Sequence, residues 1–176
     1  MSDARTIHNL ALVGFMGTGK SSVGRMVAEQ LRFAFLDTDE LIENETGQSI
    51  HEIFAQQGEA AFREYERNLV SALCARRDTV IATGGGLVAD PSNLASLKSH
   101  ALVICLWASP ETIWERVRAQ THRPLLQTPD PQARIRELLE QRGPGYRQAD
   151  VLVHTGFRSP KEVAQQVLHQ FLMARK

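Results

Sequence analysis

Lysine, cysteine and aromatic residues are scarce in this chain, and net charge is absent. Only Lys20, Lys98, Lys161 and Lys176 are lysine among 20 basic residues; the other 16 are arginine. The 20 basic residues are matched by 20 acidic ones. That balance excludes a surface built as a whole to grip nucleic acid or an anionic membrane. No apolar run approaches the ~20 residues that span a bilayer. The opening MSDARTIHNL lacks a basic stretch followed by an apolar one, so no signal peptide is visible and a cytoplasmic location is expected. Cys74 and Cys105 lie in apolar surroundings without metal-ligand spacing. They read as buried free thiols of a reducing cytosol, not as a disulfide framework.

What remains is ordinary globular composition, 43% hydrophobic and 23% charged. At about 150 residues per domain, the 176 residues predict a single domain, 1–176, expected to act as a monomer. No repeat or interdomain linker interrupts it.

The charges are unevenly placed. Between Asp37 and Glu66 stand nine acids and one base, Arg63; between Arg116 and Arg158 stand eight arginines and four acids. Arginine suits planar, bidentate contacts with phosphate or carboxylate.

Short β-rich runs alternate with helical patterns. Leu10–Val13, Phe33–Leu36, Thr79–Ala82, Ala101–Trp107 and Val151–Val153 read as strands, several apolar on successive residues as in a parallel sheet covered on both faces. Val23, Met26, Val27 and Leu31 keep helical spacing, as do Val163, Val167, Phe171 and Leu172. Ser49 with Glu52, and Ser159 with Glu162, are capping-box pairs; Ser109, Asp130 and Ser159 each precede a proline that can open a helix. The alternation predicts a three-layer α/β/α domain with a five-stranded parallel sheet. The polar, proline-punctuated stretch about 118–130 is a candidate lid.

Gly14-Phe-Met-Gly17-Thr-Gly19-Lys20-Ser21 satisfies G-x-x-x-x-G-K-[ST], between an apolar strand and an amphipathic helix. Glycines let successive N–H groups turn toward phosphate oxygens at the positive end of the helix dipole. Lys20 should reach the β- and γ-phosphates, and the Ser21 hydroxyl should ligate Mg²⁺. The chain is therefore expected to bind a nucleoside triphosphate. The Asn-Lys-x-Asp run of guanine-reading switches is absent.

A second pocket is suggested by Asp37-Thr38-Asp39 at the end of the second strand, where open α/β sheets bind ligands. On an extended strand end the two carboxylates would project the same way. One would support Mg²⁺ and the other would face an acceptor hydroxyl; a helix cap near Glu40 is the alternative use. Arg63 and Glu66 fall on one helical face, so Glu66 can orient Arg63 toward a ligand; a surface salt bridge is the bland alternative. Gly84-Gly85-Gly86 can bring backbone amides close to a ligand. Trp107 and Trp114 read as packing residues, and His51 and His122 as solvated.

Together these features resemble the shikimate kinase family of P-loop kinases. The resemblance runs from about Asn9 to the last helix. It rests on G-x-x-G-x-G-K-S, Asp37-Thr-Asp39, Ser49-Ile-x-Glu52-Ile-Phe, Gly58-Glu59 with Phe62-Arg63-x-x-Glu66, the triple glycine, Arg123-Pro-Leu-Leu and Arg142-x-Pro-x-Tyr146. It implies transfer of the γ-phosphoryl group of ATP to the 3-hydroxyl of shikimate, in the route to aromatic amino acids. It implies a shikimate-binding region about 37–66, with Asp39 on the accepting hydroxyl and Asp37 beside Ser21 at Mg²⁺. Arg63 and Arg142 would hold the substrate carboxylate, and Gly84, Gly85 and Gly86 would contact it. Gly17, Thr18, Gly19, Lys20, Ser21 and Ser22 would hold ATP, Arg123 would close over its phosphates, and Arg158 would lie at the adenine. The family's other adenine arginine falls on Arg116 or Arg118, with Arg118 preferred. The rivals are a gluconate kinase, which shares fold and anionic acceptor, and a nucleotide-binding module without catalysis.

Overall fold

The computed structural model describes residues 5–120 and 124–175. In chain order its elements are β1 (Asn9–Val13), α1 (Lys20–Leu31), β2 (Ala34–Asp37), α2 (Thr38–Thr46) and α3 (Ile50–Leu73). They continue with β3 (Thr79–Ala82), α4 (Pro91–His100), β4 (Ala101–Trp107), α5 (Pro110–Val117), α6 (Pro131–Tyr146), β5 (Val151–His154) and α7 (Pro160–Ala174). Single 3-10 turns, Leu87–Ala89 and Pro124–Leu126, precede α4 and α6. All five strands are parallel, in the order β2-β3-β1-β4-β5.

Strand alternation sorts the core into two layers. Ala11 and Val13 of β1 face Val70, Leu97, Ile113 and Ile135 from α3, α4, α5 and α6. Leu10 and Leu12 face Val23, Val27, Val167 and Phe171 from α1 and α7. Each such buried aliphatic or aromatic side chain contributes about 1.5–3 kcal/mol, so the sheet needs helices on both sides. A separate small cluster of Ile42, Ile53 and Phe62 holds the α2–α3 hairpin together.

Helix starts follow the local code. Both capping boxes form, and Ser109, Asp130 and Ser159 cap helices that open on proline. Asp90–Pro91 does the same for α4, a signal equally present in the sequence. Three expectations need correction. Of the two cysteines only Cys105 is buried; Cys74 lies on a helix end and is exposed. The second helix starts at Thr38, not near Glu40, and its cap is Asp37, which accepts from the Asp39 N–H at 3.0 Å. Trp107 is half exposed and packs edge-on against His154, at the rim of the sheet and not in its core.

The order places β1 between β3 and β4, so the chain leaves the sheet in opposite directions on either side of it. At the carboxyl edge this brings together the loop after β1, the β2–α2 junction and the glycines after β3. Ligands bind at such a crevice in open α/β sheets.

Candidate active site

The loop after β1 turns through Gly17 and Gly19 at φ 76° and 93°, a region that favours glycine. Lys20 is only 9% exposed, and its Nζ donates to the Phe15 carbonyl at 2.8 Å. Thr18 Oγ1 donates to the same carbonyl at 2.7 Å. The loop is thus braced before any phosphate arrives, with Lys20 at its centre.

Beside it lies a cavity of about 230 Å³ lined by Gly17, Thr18, Gly19, Ser22, Arg116 and Arg158. Arg116 is fixed by three hydrogen bonds, to Gly17 O at 3.0 Å, Thr155 Oγ1 at 3.0 Å and Thr155 O at 2.7 Å. Arg118 is exposed and pairs with Glu115 at 3.1 Å. Of the two candidates, Arg116 lines this cavity and the preferred Arg118 does not. Residues two apart on a helix point to different sides, and only the side of Arg116 faces the loop. Arg158 bonds Gln166 Oε1. Arg123 and His122 lie outside the described residues.

Ser21 Oγ donates to Asp37 Oδ2 at 2.7 Å. A hydroxyl and a carboxylate at the phosphate end of the loop are hard oxygen ligands, the donor type Mg²⁺ prefers. Mg²⁺ usually takes few protein ligands because phosphates and waters complete its shell. Asp37 and Asp39 do not project together: the chain turns helical at Thr38, so Asp37 faces Ser21 while Asp39 enters the next pocket.

That pocket has a volume of about 640 Å³, and its polar wall is formed by Asp39, Arg63, Glu66 and Arg142 with the glycines 84–86. Arg63 donates to Glu66 at 2.6 Å and to Glu59 at 2.9 Å. Burial opposes the charge on Arg63, yet the two carboxylates outweigh it and raise its pKa, so the cation is permanent. For Glu66, whose side chain is fully buried, burial pushes the pKa upward and Asp39 adds to it; Arg63 and Arg142 oppose. The absence of side chains on the glycines lets two charged groups come close. A β-carbon on Gly84 would stand 2.6 Å from Asp39 Oδ1, and one on Gly86 would stand 2.6 Å from Arg63 Nη2. The Gly84 N–H donates to the buried Thr38 hydroxyl at 2.9 Å, tying the glycine loop to α2. Arg142 is 7% exposed and lies over the Phe15 ring, 5.7 Å from its centroid.

The opposite wall is apolar, with Met16, Ile50, Phe54 and Phe62. Ile50 and Phe54 fall in a stretch already singled out, but nothing local marked them as lining. Glu43, whose carboxylate accepts from the Ile50 N–H at 2.8 Å, carried no signal. His51 is exposed, as expected, and stands at the pocket mouth.

A pocket for an anion beside a triphosphate loop fits several small-molecule kinases. Comparison with known proteins separates them. The family model described as shikimate kinase matches residues 16–172. The chain belongs to the shikimate kinase family. A shikimate kinase of Thermodesulfovibrio yellowstonii is 45% identical over 163 residues, covering 93% of this chain and 94% of that one. Among solved structures, the shikimate kinase of Acinetobacter baumannii in complex with shikimate aligns with a TM-score of 0.91 at 38% identity, over 96% of this chain and 95% of that one. A gluconokinase of Sinorhizobium meliloti aligns with a TM-score of 0.62 over 96% and 94% of the two chains at 17% identity, which shows a shared fold alone. As a member of the shikimate kinase family the chain is an ATP-dependent kinase with the P-loop fold.

Proposed function

We propose that the protein transfers the γ-phosphoryl group of ATP to the 3-hydroxyl of shikimate, giving shikimate 3-phosphate and ADP. The observation that carries this reading is the pocket beside the P-loop, whose lining joins Asp39 to two arginines, Arg63 and Arg142. A ring with a carboxylate at one end and hydroxyls at the other meets complementary groups at both. The Acinetobacter baumannii relative was solved with shikimate bound, which supports the same acceptor.

Phosphoryl transfer asks a protein mainly for alignment and for charge around the moving group. In this reading Gly17, Thr18, Gly19 and Ser22 hold the triphosphate, Lys20 leaves the Phe15 carbonyl for the β- and γ-phosphates, and Arg116 and Arg158 flank the base. Asp39 accepts a hydrogen bond from the attacking hydroxyl and receives its proton as the new P–O bond forms and ADP departs. In a loose transition state that proton leaves late, so orientation is the first service of Asp39. Arg63 and Arg142 fix the carboxylate, with Gly84, Gly85 and Gly86 against the ring. Ser21 and Asp37 would hold Mg²⁺, which supplies charge neutralisation at the β- and γ-phosphate oxygens.

Arg123, on a lid of about 118–130, would close over the phosphates and exclude water, which otherwise competes as acceptor. The chain is proposed to act as one domain and as a monomer in the cytoplasm. No helix among the described residues is long and apolar enough to cross a membrane.

A coupled ADP-release assay with shikimate, quinate and gluconate tests the reading. Turnover is expected with shikimate and little with the other two. Preference for gluconate would favour the rival kinase, and no release with any acceptor would favour a binding module.

A further inference from the structure

Tyr146 ends α6, one helical turn beyond Arg142. It is buried, and its hydroxyl donates to the carbonyl of Gly85. Burial raises the phenol pKa far above its ordinary range, so the group stays a donor at any working pH. Its neighbour Gly145 presses on the 3-10 turn that follows the glycine loop: a β-carbon there would stand 2.5 Å from the Val88 carbonyl oxygen. Arg142 Nη1 lies 3.6 Å from where a β-carbon on Gly85 would be. The end of α6 is therefore seated on the glycine loop by one hydrogen bond and one steric contact, and the same seat carries Arg142.

Peptide geometry extends the effect. In a trans peptide the carbonyl and the following N–H point in opposite directions. With the Gly85 carbonyl drawn to Tyr146, the Gly86 N–H is turned the other way, and Gly86 is the residue against which the Arg63 guanidinium lies. The orientation of one peptide plane thus bears on both arginines of the acceptor pocket. The nucleotide cavity is lined by Gly17, Thr18 and Gly19, by α1, α5 and α7, and by the β5–α7 connection, none of it from the glycine loop, which meets the P-loop only at its start: a β-carbon on Gly85 would stand 3.3 Å from Met16 N and 3.6 Å from Gly14 O.

We propose that Tyr146 is a positioning residue for the acceptor: its hydrogen bond to Gly85 sets the glycine loop against which Arg63 and Arg142 hold the substrate carboxylate. This rests on the shikimate reading above. Losing one hydrogen bond that orients a charge-binding site should weaken acceptor binding about 5- to 10-fold and leave nucleotide binding alone. A residue that served only the fold would shift stability without separating the two substrates.

The test is Tyr146→Phe in the full chain, with shikimate and ATP varied separately and hydrogen exchange followed across residues 84–88. The expected result is a shikimate KM raised by about that factor, an ATP KM nearly unchanged, and faster exchange in the glycine loop but not at Gly17–Gly19, which line the nucleotide cavity. Gly145→Ala, which forces α6 off the turn, should show the same asymmetry. An unchanged shikimate KM overturns the proposal, as do two Michaelis constants rising together or an unfolded Tyr146→Phe. Absence of ADP release by the native chain with shikimate would instead refute the functional reading.

Discussion

Ser21 Oγ and Asp37 Oδ2 stand 2.7 Å apart, joining the first turn of α1 to the end of β2. The contact places a hydroxyl and a carboxylate where a triphosphate-bound cation needs oxygen. Asn at position 37 keeps a capping side chain for α2 but removes the charge. Asp37→Asn should therefore raise the Mg²⁺ concentration for half-maximal rate by about 10-fold or more, with the melting temperature nearly unchanged. A Mg²⁺ titration of the two proteins checks it; coincident curves would remove Asp37 from the metal.

Asp39 is separated from Asp37 by the start of a helix and lines the pocket proposed for the acceptor. Asp39→Asn keeps the shape and loses the proton acceptor, so kcat with shikimate should fall by about 100-fold or more. Near-native turnover in a steady-state assay would end the assignment.

Arg63 offers a planar fork already oriented by Glu66 and Glu59. An ammonium cannot reproduce that geometry. Arg63→Lys is expected to raise the shikimate KM by about 10- to 100-fold while the ATP KM changes little. Unaltered kinetics would mean that Arg63 only pairs with its glutamates.

Arg116 and Arg118 differ by a rotation about the α5 axis, and only Arg116 reaches the loop through Gly17 and Thr155. Arg116→Ala should raise the ATP KM by about 10-fold, and Arg118→Ala should leave it near native. The reverse order would restore Arg118 to the adenine.

His100 supplies a pH dependence at the other end of the sheet. Asn9 Nδ2 donates to Arg76 O and lies 2.8 Å from His100 Nδ1, while Asn9 Oδ1 accepts from the Thr79 N–H. The network assigns Nδ1 as acceptor, so the ring is neutral with its proton on Nε2. Burial, with Arg77 and His8 adding, holds its pKa below the ordinary 6.5. The unfolded chain takes up a proton near pH 6.5 that the folded ring refuses. Stability is therefore full above that pH and falls as pH drops toward the depressed folded value. Melting temperatures measured between about pH 8 and about pH 5.5 should decline, and His100→Gln should flatten that slope; equal slopes would show that His100 is not the titrating group.

Much of the molecule was legible because the controlling interactions are short in sequence. Capping boxes span three residues, so Ser49 with Glu52 and Ser159 with Glu162 announced their helices. The P-loop carries its own glycines and lysine on one turn. Even Arg63 with Glu66 was visible, because helical spacing alone makes them neighbours.

Other features depended on segments that meet only after folding. Extended spacing suggested parallel carboxylates at 37 and 39; the helix starts at Thr38 instead of near Glu40, and the two acids part. Arg116, unlike Arg118, is held at the cavity by Thr155, which β5 delivers from far along the chain. Tyr146 gave no sign of reaching Gly85, since only the packing of α6 across the sheet edge brings them together. From its own residues the chain determined the kinds of chemistry it carries: triphosphate binding, two carboxylates, and arginines matched to an anion. Tertiary structure decided which carboxylate meets Ser21 and which lines the neighbouring pocket, and which arginines share that pocket, because direction and partner are set by strand order and helix phase.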